Sequence, residues 1–222
     1  MKKILSISGD KGGTGKSVVA SAVLDTALAQ GKTVLLIEAD TANPDLAKAY
    51  SETVDTVAIC LDNREGFIQM ASLTHKTEHE VIVINNPARS GWKEFGGIMV
   101  SNLAEMGAEM TVLWVANRQV DSVELLADFH AVFPALPVFF VRNSYYGSPD
   151  KFEIWANSKT RDKIFSAGGG ELVFPDCADR VMSAIRNGRL RWDQANELDF
   201  GEKIEAERVR HEFHAAFAQL FG

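Results

Sequence analysis

Near the start of the chain, Ser8-Gly9-Asp10-Lys11-Gly12-Gly13-Thr14-Gly15-Lys16-Ser17 joins a short apolar run, Ile4-Leu5-Ser6-Ile7, to a helical pattern from Val18 to Gln30. Strand, glycine-rich turn and helix in that order form a cradle for phosphate. Glycines let backbone N–H groups close around an anion with no Cβ in the way. The helix N-terminus adds unpaired N–H groups and the positive end of its dipole. The expected contacts are Gly12, Gly13, Thr14, Gly15, Lys16, Ser17 and Val18. Lys16 is placed to reach the β- and γ-phosphates, and the Ser17 hydroxyl to bind Mg²⁺. A turn that binds nothing is the plain alternative. The three glycines at fixed spacing, two lysines and a serine weigh heavily against it.

The rest of the chain repeats the alternation. Strands are expected at Thr33–Ile37, Val57–Leu61, Val81–Ile84, Thr111–Val115, Val138–Val141 and Leu172–Phe174. Helical runs are expected at about 64–75, 94–106, 121–133, 177–187 and 202–220. Runs such as Val34-Leu35-Leu36-Ile37 are apolar without alternation, as in parallel strands covered on both faces. The fold class is therefore α/β, a single doubly wound, mostly parallel sheet flanked by helices. The length, 222 residues, suits one domain spanning 1–222. Residues 143–170, ending in Gly168-Gly169-Gly170, read as a surface excursion.

A hydrophobic share of 46% and a charged share of 24% supply a sizeable core and argue against disorder. The net charge of −7 opposes strong non-specific attraction to nucleic acid or anionic lipid. Cys60 and Cys177 are isolated, which fits a reducing compartment and gives no metal or redox motif. With no signal peptide and no membrane-length apolar run, the expected location is cytoplasmic.

The ordinary pattern G-x-x-x-x-G-K-[ST] is not met, because Asp10 stands at its first glycine. What is met is K-G-G-x-G-K-[ST], with Lys11 ahead of the glycines. This loop resembles the deviant Walker A loop of the MinD/ParA family of P-loop ATPases. The resemblance implies ATP and Mg²⁺ as cofactors, an ATP-dependent nucleotide-sandwich homodimer and a protein partner. It also implies that Lys11 reaches across to the partner's phosphates. GTP is disfavoured, since no N/T-K-x-D sequence is present.

Strand ends should complete the site, because ligands in such sheets sit beyond the carboxyl ends of the strands. Asp40, in Leu35-Leu36-Ile37-Glu38-Ala39-Asp40, falls where the family positions the attacking water and is also expected at the Mg²⁺ site; otherwise it caps the turn with Asn43-Pro44. The segment 81–91 is similar to the family's Walker B and switch II, but its aspartate position holds Asn85. Asn85 keeps an acceptor oxygen for Mg²⁺-bound water and loses the charge. Glu38 either restores part of that charge or is a solvent-facing carboxylate. Asn143 follows a buried strand where relatives place an amide that reads adenine; otherwise it is a turn residue. Pro175, after the last strand, falls in the loop that packs on the base in the family.

Arg180, Arg186, Arg189 and Arg191 lie in a stretch free of acids, and ParA-like proteins bind DNA through C-terminal basic residues. The alternative is a solvated helix and turn. The C-terminal run Gly201–Gly222 is amphipathic but begins with acids, so it is read as packing on the domain, and membrane binding is not expected. His211 and His214 on it are read as surface residues. The segments Asn143-Ser144-Tyr145-Tyr146-Gly147 and Arg189-Leu190-Arg191-Trp192-Asp193-Gln194-Ala195 are similar to those of ParA-like proteins of conjugative plasmids such as TraL. The first expectation is an ATP-driven switch serving partition, conjugation or positioning. The second is a small-molecule kinase or ligase of the same fold, like dethiobiotin synthetase. The third is a nucleotide-binding module that hydrolyses little.

Overall fold

The computed structural model describes residues 1–221. Seven strands form one sheet: β1 (Lys2–Ser8), β2 (Val34–Glu38), β3 (Asp55–Ala58), β4 (Val81–Asn85), β5 (Ala108–Ala116), β6 (Val138–Asn143) and β7 (Gly170–Phe174). Their order is β3-β2-β4-β1-β5-β6-β7, and every neighbouring pair is parallel. The chain thus starts in the middle with β1, skips a place to lay down β2 and β3, returns to insert β4 between β2 and β1, then crosses to build β5, β6 and β7 on the other side. The strand order reverses beside β1, which opens a crevice at its carboxyl end.

Ten α-helices cover the sheet: α1 (Lys16–Ala29), α2 (Asp45–Tyr50), α3 (Arg64–Lys76), α4 (Trp92–Phe95), α5 (Gly97–Val100), α6 (Val120–Val132), α7 (Glu153–Ala156), α8 (Lys159–Ser166), α9 (Asp179–Gly188) and α10 (Phe200–Phe217). Successive strand residues enter opposite cores, as the two-residue period requires. Leu5, Ile7, Val34 and Leu36 join α1, α2, α9 and α10 on one face. Ile4, Leu35, Ile37 and Ile84 meet α3 to α8 on the other. The first core is closed by aromatic rings, with Trp192 edge-on to Phe213 at 5.2 Å between centroids.

Three of the expected segments change. The helix expected at 94–106 is broken into α4 and α5 with turns after them. Gly96 sits so close to Trp92 that a Cβ would lie 2.5 Å from the Trp92 carbonyl oxygen and 3.0 Å from the Phe133 ring. The strand expected at Val57–Leu61 is Asp55–Ala58, and Ile59 and Leu61 are buried beyond its end. Residues 143–170 are not merely a surface excursion: Phe152 and Trp155 are buried, and Trp155 stacks on Phe140 of β6 at 3.9 Å.

The C-terminal helix packs on the sheet, with Val209, Phe213 and Phe217 buried. Asp25 of α1, also buried, accepts from Arg210 Nε at 2.8 Å and contacts His214 Nε2 at 2.6 Å. His214 is therefore part of the clip between α1 and α10 and not a plain surface residue.

Candidate nucleotide site

The loop between β1 and α1 lies at the reversal of strand order and is splinted from β6. Gly15 has φ +96°, and a Cβ there would meet Asn143 Nδ2 at 2.5 Å. Only glycine suits both conditions. Asn143 donates from Nδ2 to the Thr14 carbonyl at 2.8 Å and accepts from the Tyr145 N–H at 3.1 Å. The Tyr146 hydroxyl donates to the Gly13 carbonyl. The amide expected to read a base is here engaged in fixing the loop.

Lys16 is buried and curls back, its Nζ donating to the Lys11 carbonyl at 2.8 Å. Burial lowers its pKa, while Asp40 and Asp10 pull it back up. An anion seated in the loop would replace a neutral acceptor with a charged one, which is the stronger partner for an ammonium.

Glu38 and Asn85 are register partners on β2 and β4. Asn85 Nδ2 donates to Glu38 Oε1 at 2.8 Å and lies 3.4 Å from Ser17 Oγ. Glu38 Oε1 also accepts from the Asp40 N–H at 3.1 Å, and Oε2 from the Ala47 N–H at 3.3 Å. Glu38 is fully buried, so its reading as a solvent-facing carboxylate falls away. Burial pushes its carboxyl up to about 7, against the opposing hydrogen bonds from Asn85, Asp40 and Ala47. Asn85 Oδ1 is buried with no hydrogen-bond partner among the described residues. An orphan oxygen beside a hydroxyl and a buried carboxylate fits a hard divalent cation with its waters. Asp40 is partly exposed at the end of this cluster, its Oδ1 accepting from the Asn43 N–H at 3.2 Å, so the turn-capping contact is present.

Lys11 stands apart from this cluster. Its Nζ is 2.6 Å from Asp121 Oδ2 and donates to the Gln119 side chain, both at the start of α6.

A cavity of about 530 Å³ adjoins the loop and takes in Gly13, Gly15, Val18, Asn143 and Pro175. Its other walls include Tyr145, Tyr146, Met182 and Arg186. The volume falls in the range that encloses small organic ligands. The two tyrosines were not picked out as site residues in the sequence, although they lie two and three residues after Asn143. Arg186 lines this cavity, while Arg180 pairs with Glu202 at 2.9 Å and Arg191 with Asp193 at 3.0 Å. Arg189 ends α9 with φ +52°. The four arginines therefore do not form a continuous basic stripe. A second cavity, about 360 Å³, lies between α4, α5 and the end of α6, and none of the residues lining it belongs to the glycine loop.

The sequence profile described as the CobQ/CobB/MinD/ParA nucleotide binding domain matches residues 5–168. Protein MobD of Acidithiobacillus ferrooxidans is 42% identical over 214 residues, covering 95% of this chain and 94% of MobD. Protein TraL of Escherichia coli is 28% identical over 214 residues, covering 88% of this chain and 87% of TraL. Among solved structures, the MinD cell division protein of Aquifex aeolicus superposes with a TM-score of 0.59 at 13% identity, covering 99% of this chain and 97% of MinD. A Borrelia burgdorferi protein described as a plasmid partition protein, bound to AMPPNP, gives 0.57 at 16% identity, covering 96% and 98%. These structural likenesses bear on the fold, and the profile and MobD on descent. With the glycine loop, the buried lysine and the parallel sheet in place, the chain belongs to the CobQ/CobB/MinD/ParA family of nucleotide-binding domains.

Proposed function

We propose that this chain is an ATP-binding and hydrolysing switch that forms a nucleotide-sandwich dimer. The observation that carries this reading is Lys16, buried in a glycine loop beside a cavity large enough for a nucleoside. In this reading the backbone of Gly12 to Val18 and the Lys16 ammonium hold the phosphates. Asn143 and Pro175 border the nucleoside. Ser17, Asn85 and Glu38 would hold Mg²⁺, directly or through water, and the ion would neutralise charge on the phosphates. Asp40 orients water against the terminal phosphate. Lys11 acts across the dimer as a second cation, in the manner of an arginine finger. With Asn85 in place of a carboxylate, basal turnover is slow, and a protein partner sets the rate in the cell.

The process served is plasmid partition, conjugation or positioning, in the cytoplasm. The likeness to MobD and TraL, and to a plasmid partition protein, supports that class. Weak DNA binding remains part of the proposal only through Arg186 and Arg189, which have no ion pair among the described residues.

Lys16→Ala tests the site. It removes the buried cation of the cradle, so ATP affinity measured by calorimetry should fall below detection while the unfolding midpoint without nucleotide holds. Unchanged affinity in a folded Lys16→Ala protein overturns the assignment.

A further inference from the structure

Lys11 cannot be in two places. For its ammonium to act on a partner's phosphates it must point out of its own protomer, yet here it is turned onto the start of α6. Asp121 Oδ2 is 2.6 Å from Nζ, and Gln119 Oε1 accepts from the same group. We infer that Asp121 and Gln119 are positioning residues that hold the Lys11 ammonium within its own protomer, so that each protomer gives up this contact before the nucleotide sandwich closes. This rests on the proposed switch and names how its assembly is regulated.

The receiving side of the contact is built in advance. Asn117, at the end of β5 and mostly buried, accepts from the Gln119 N–H at 3.0 Å and from the Ser122 hydroxyl at 2.8 Å. The Ser122 carbonyl in turn accepts from Trp114 Nε1 at 3.0 Å. These bonds fix the backbone of Gln119, one of the two latch residues, and of Ser122, which follows the other. Asp121 lies in the first turn of α6, where a carboxylate is favoured by the helix dipole. Its charge therefore stays compensated when Lys11 leaves, which lowers the cost of opening. Its second oxygen, Oδ1, is shielded and without a partner among the described residues, so Lys11 engages one oxygen only.

The contact is weak by design of its surroundings. The Lys11 and Asp121 side chains are 30% and 44% exposed, and pairs of that exposure contribute modestly. It biases assembly without blocking it. A single latch should change the dimerisation constant by up to about 5-fold. A symmetric dimer opens two, so the product is up to about 25-fold.

Two measurements on the full chain test this. In nucleotide-free protein, the acylation rate of Lys11 by an amine-reactive ester, followed by mass spectrometry, should rise several-fold in Asp121→Asn and in Gln119→Ala. With a non-hydrolysable ATP analogue and Mg²⁺, the protein concentration for half-maximal dimerisation should fall in both. Glu124→Gln, an exposed charge change on the same helix, should move neither, which separates the latch from a general loss of negative charge. Asp121→Glu should restore slow acylation. Unchanged Lys11 reactivity in both variants overturns the inference. So does weaker dimerisation of Asp121→Asn with ATP binding intact, because Asp121 would then serve the closed state. If the wild-type protein binds no ATP, the proposed function fails, while the acylation rates still decide whether Lys11 is held.

Discussion

Asn85 occupies the end of β4 with its Nδ2 only 2.8 Å from Glu38 Oε1, so the residue that departs from the family pattern is also the donor its neighbour uses. Asn85→Asp removes that donor and sets a second carboxylate against a buried one. Two such charges about 4 Å apart repel by roughly 4 kcal/mol at an effective dielectric near 20. Glu38 is already pushed up to about 7 by burial, and a neighbouring carboxylate raises the pair further, so together they keep one proton at neutral pH. Groups whose folded pKa is raised stabilise the fold below their unfolded pKa and lose that contribution as pH rises through the folded one. Thermal unfolding in a chelator should therefore show Asn85→Asp clearly less stable than wild type at pH 8 and nearly equal at pH 5. Mg²⁺ should recover part of the loss at pH 8, and it should be needed at lower concentration for ATP binding. Equal stability at pH 8 without metal would show that the two side chains do not face each other.

At the scale of elements, the segment between β6 and β7 hangs on Glu171. Its carboxylate, on edge strand β7, accepts from Trp155 Nε1 at 2.8 Å and Arg161 Nε at 3.3 Å, and pairs with Arg142 of β6 at 3.3 Å. Burial alone would raise its pKa; the bonds from Trp155 and Arg161 and the charge of Arg142 bring it below the ordinary value. A depressed carboxylate stabilises the fold above its unfolded pKa and loses that contribution as pH falls through the folded one. Glu171→Gln should cost about 1–3 kcal/mol in urea unfolding at pH 7, the scale of hydrogen bonds to charged groups. The difference should close as the pH drops below the usual carboxylate range; a constant difference down to pH 3 would assign the loss to packing. Strands buried on both faces, such as Val81–Asn85, are legible in sequence because every residue is apolar until the functional end. This segment is not, because its anchors Phe152 and Trp155 are two rings in a polar stretch whose partners lie on another strand. The break at Gly96 is hidden in part for a similar reason: beside its tight approach to Trp92, its space is closed by Phe133, far along the chain. The loop is expected from local spacing, and Asp40 and Asn143 from their places at strand ends and the resemblance of their segments; the structure sets Asn143 against the Thr14 carbonyl. The Lys11–Asp121 pair was not legible, since nothing local links residues so distant in sequence.

At the scale of the whole molecule, nucleotide binding, assembly and turnover should come apart in a single variant. Asp40 follows β2, two residues beyond Glu38 of the buried Glu38–Asn85 pair but not part of it, since its side chain accepts instead from the Asn43 N–H at 3.2 Å. That acceptor caps an exposed turn, and its loss should cost about 1 kcal/mol or less. The cradle of Gly12 to Ser17 and the Lys11 latch contain no contribution from the Asp40 side chain among their hydrogen bonds. Asp40→Ala should therefore bind ATP with near wild-type affinity and dimerise, while phosphate release falls by roughly 10²-fold or more, as when a group that positions water is removed. The dimer, no longer emptied by hydrolysis, should persist after dilution where the wild-type dimer decays. Light scattering after size exclusion, run beside a phosphate-release assay, separates the possibilities. A persistent dimer with little release places Asp40 at the water. Normal release from a normal dimer removes it from the chemistry. Loss of the dimer with ATP binding intact means that the turn after β2, and not the reaction, is what Asp40 maintains, and that this turn forms part of the surface on which two copies meet.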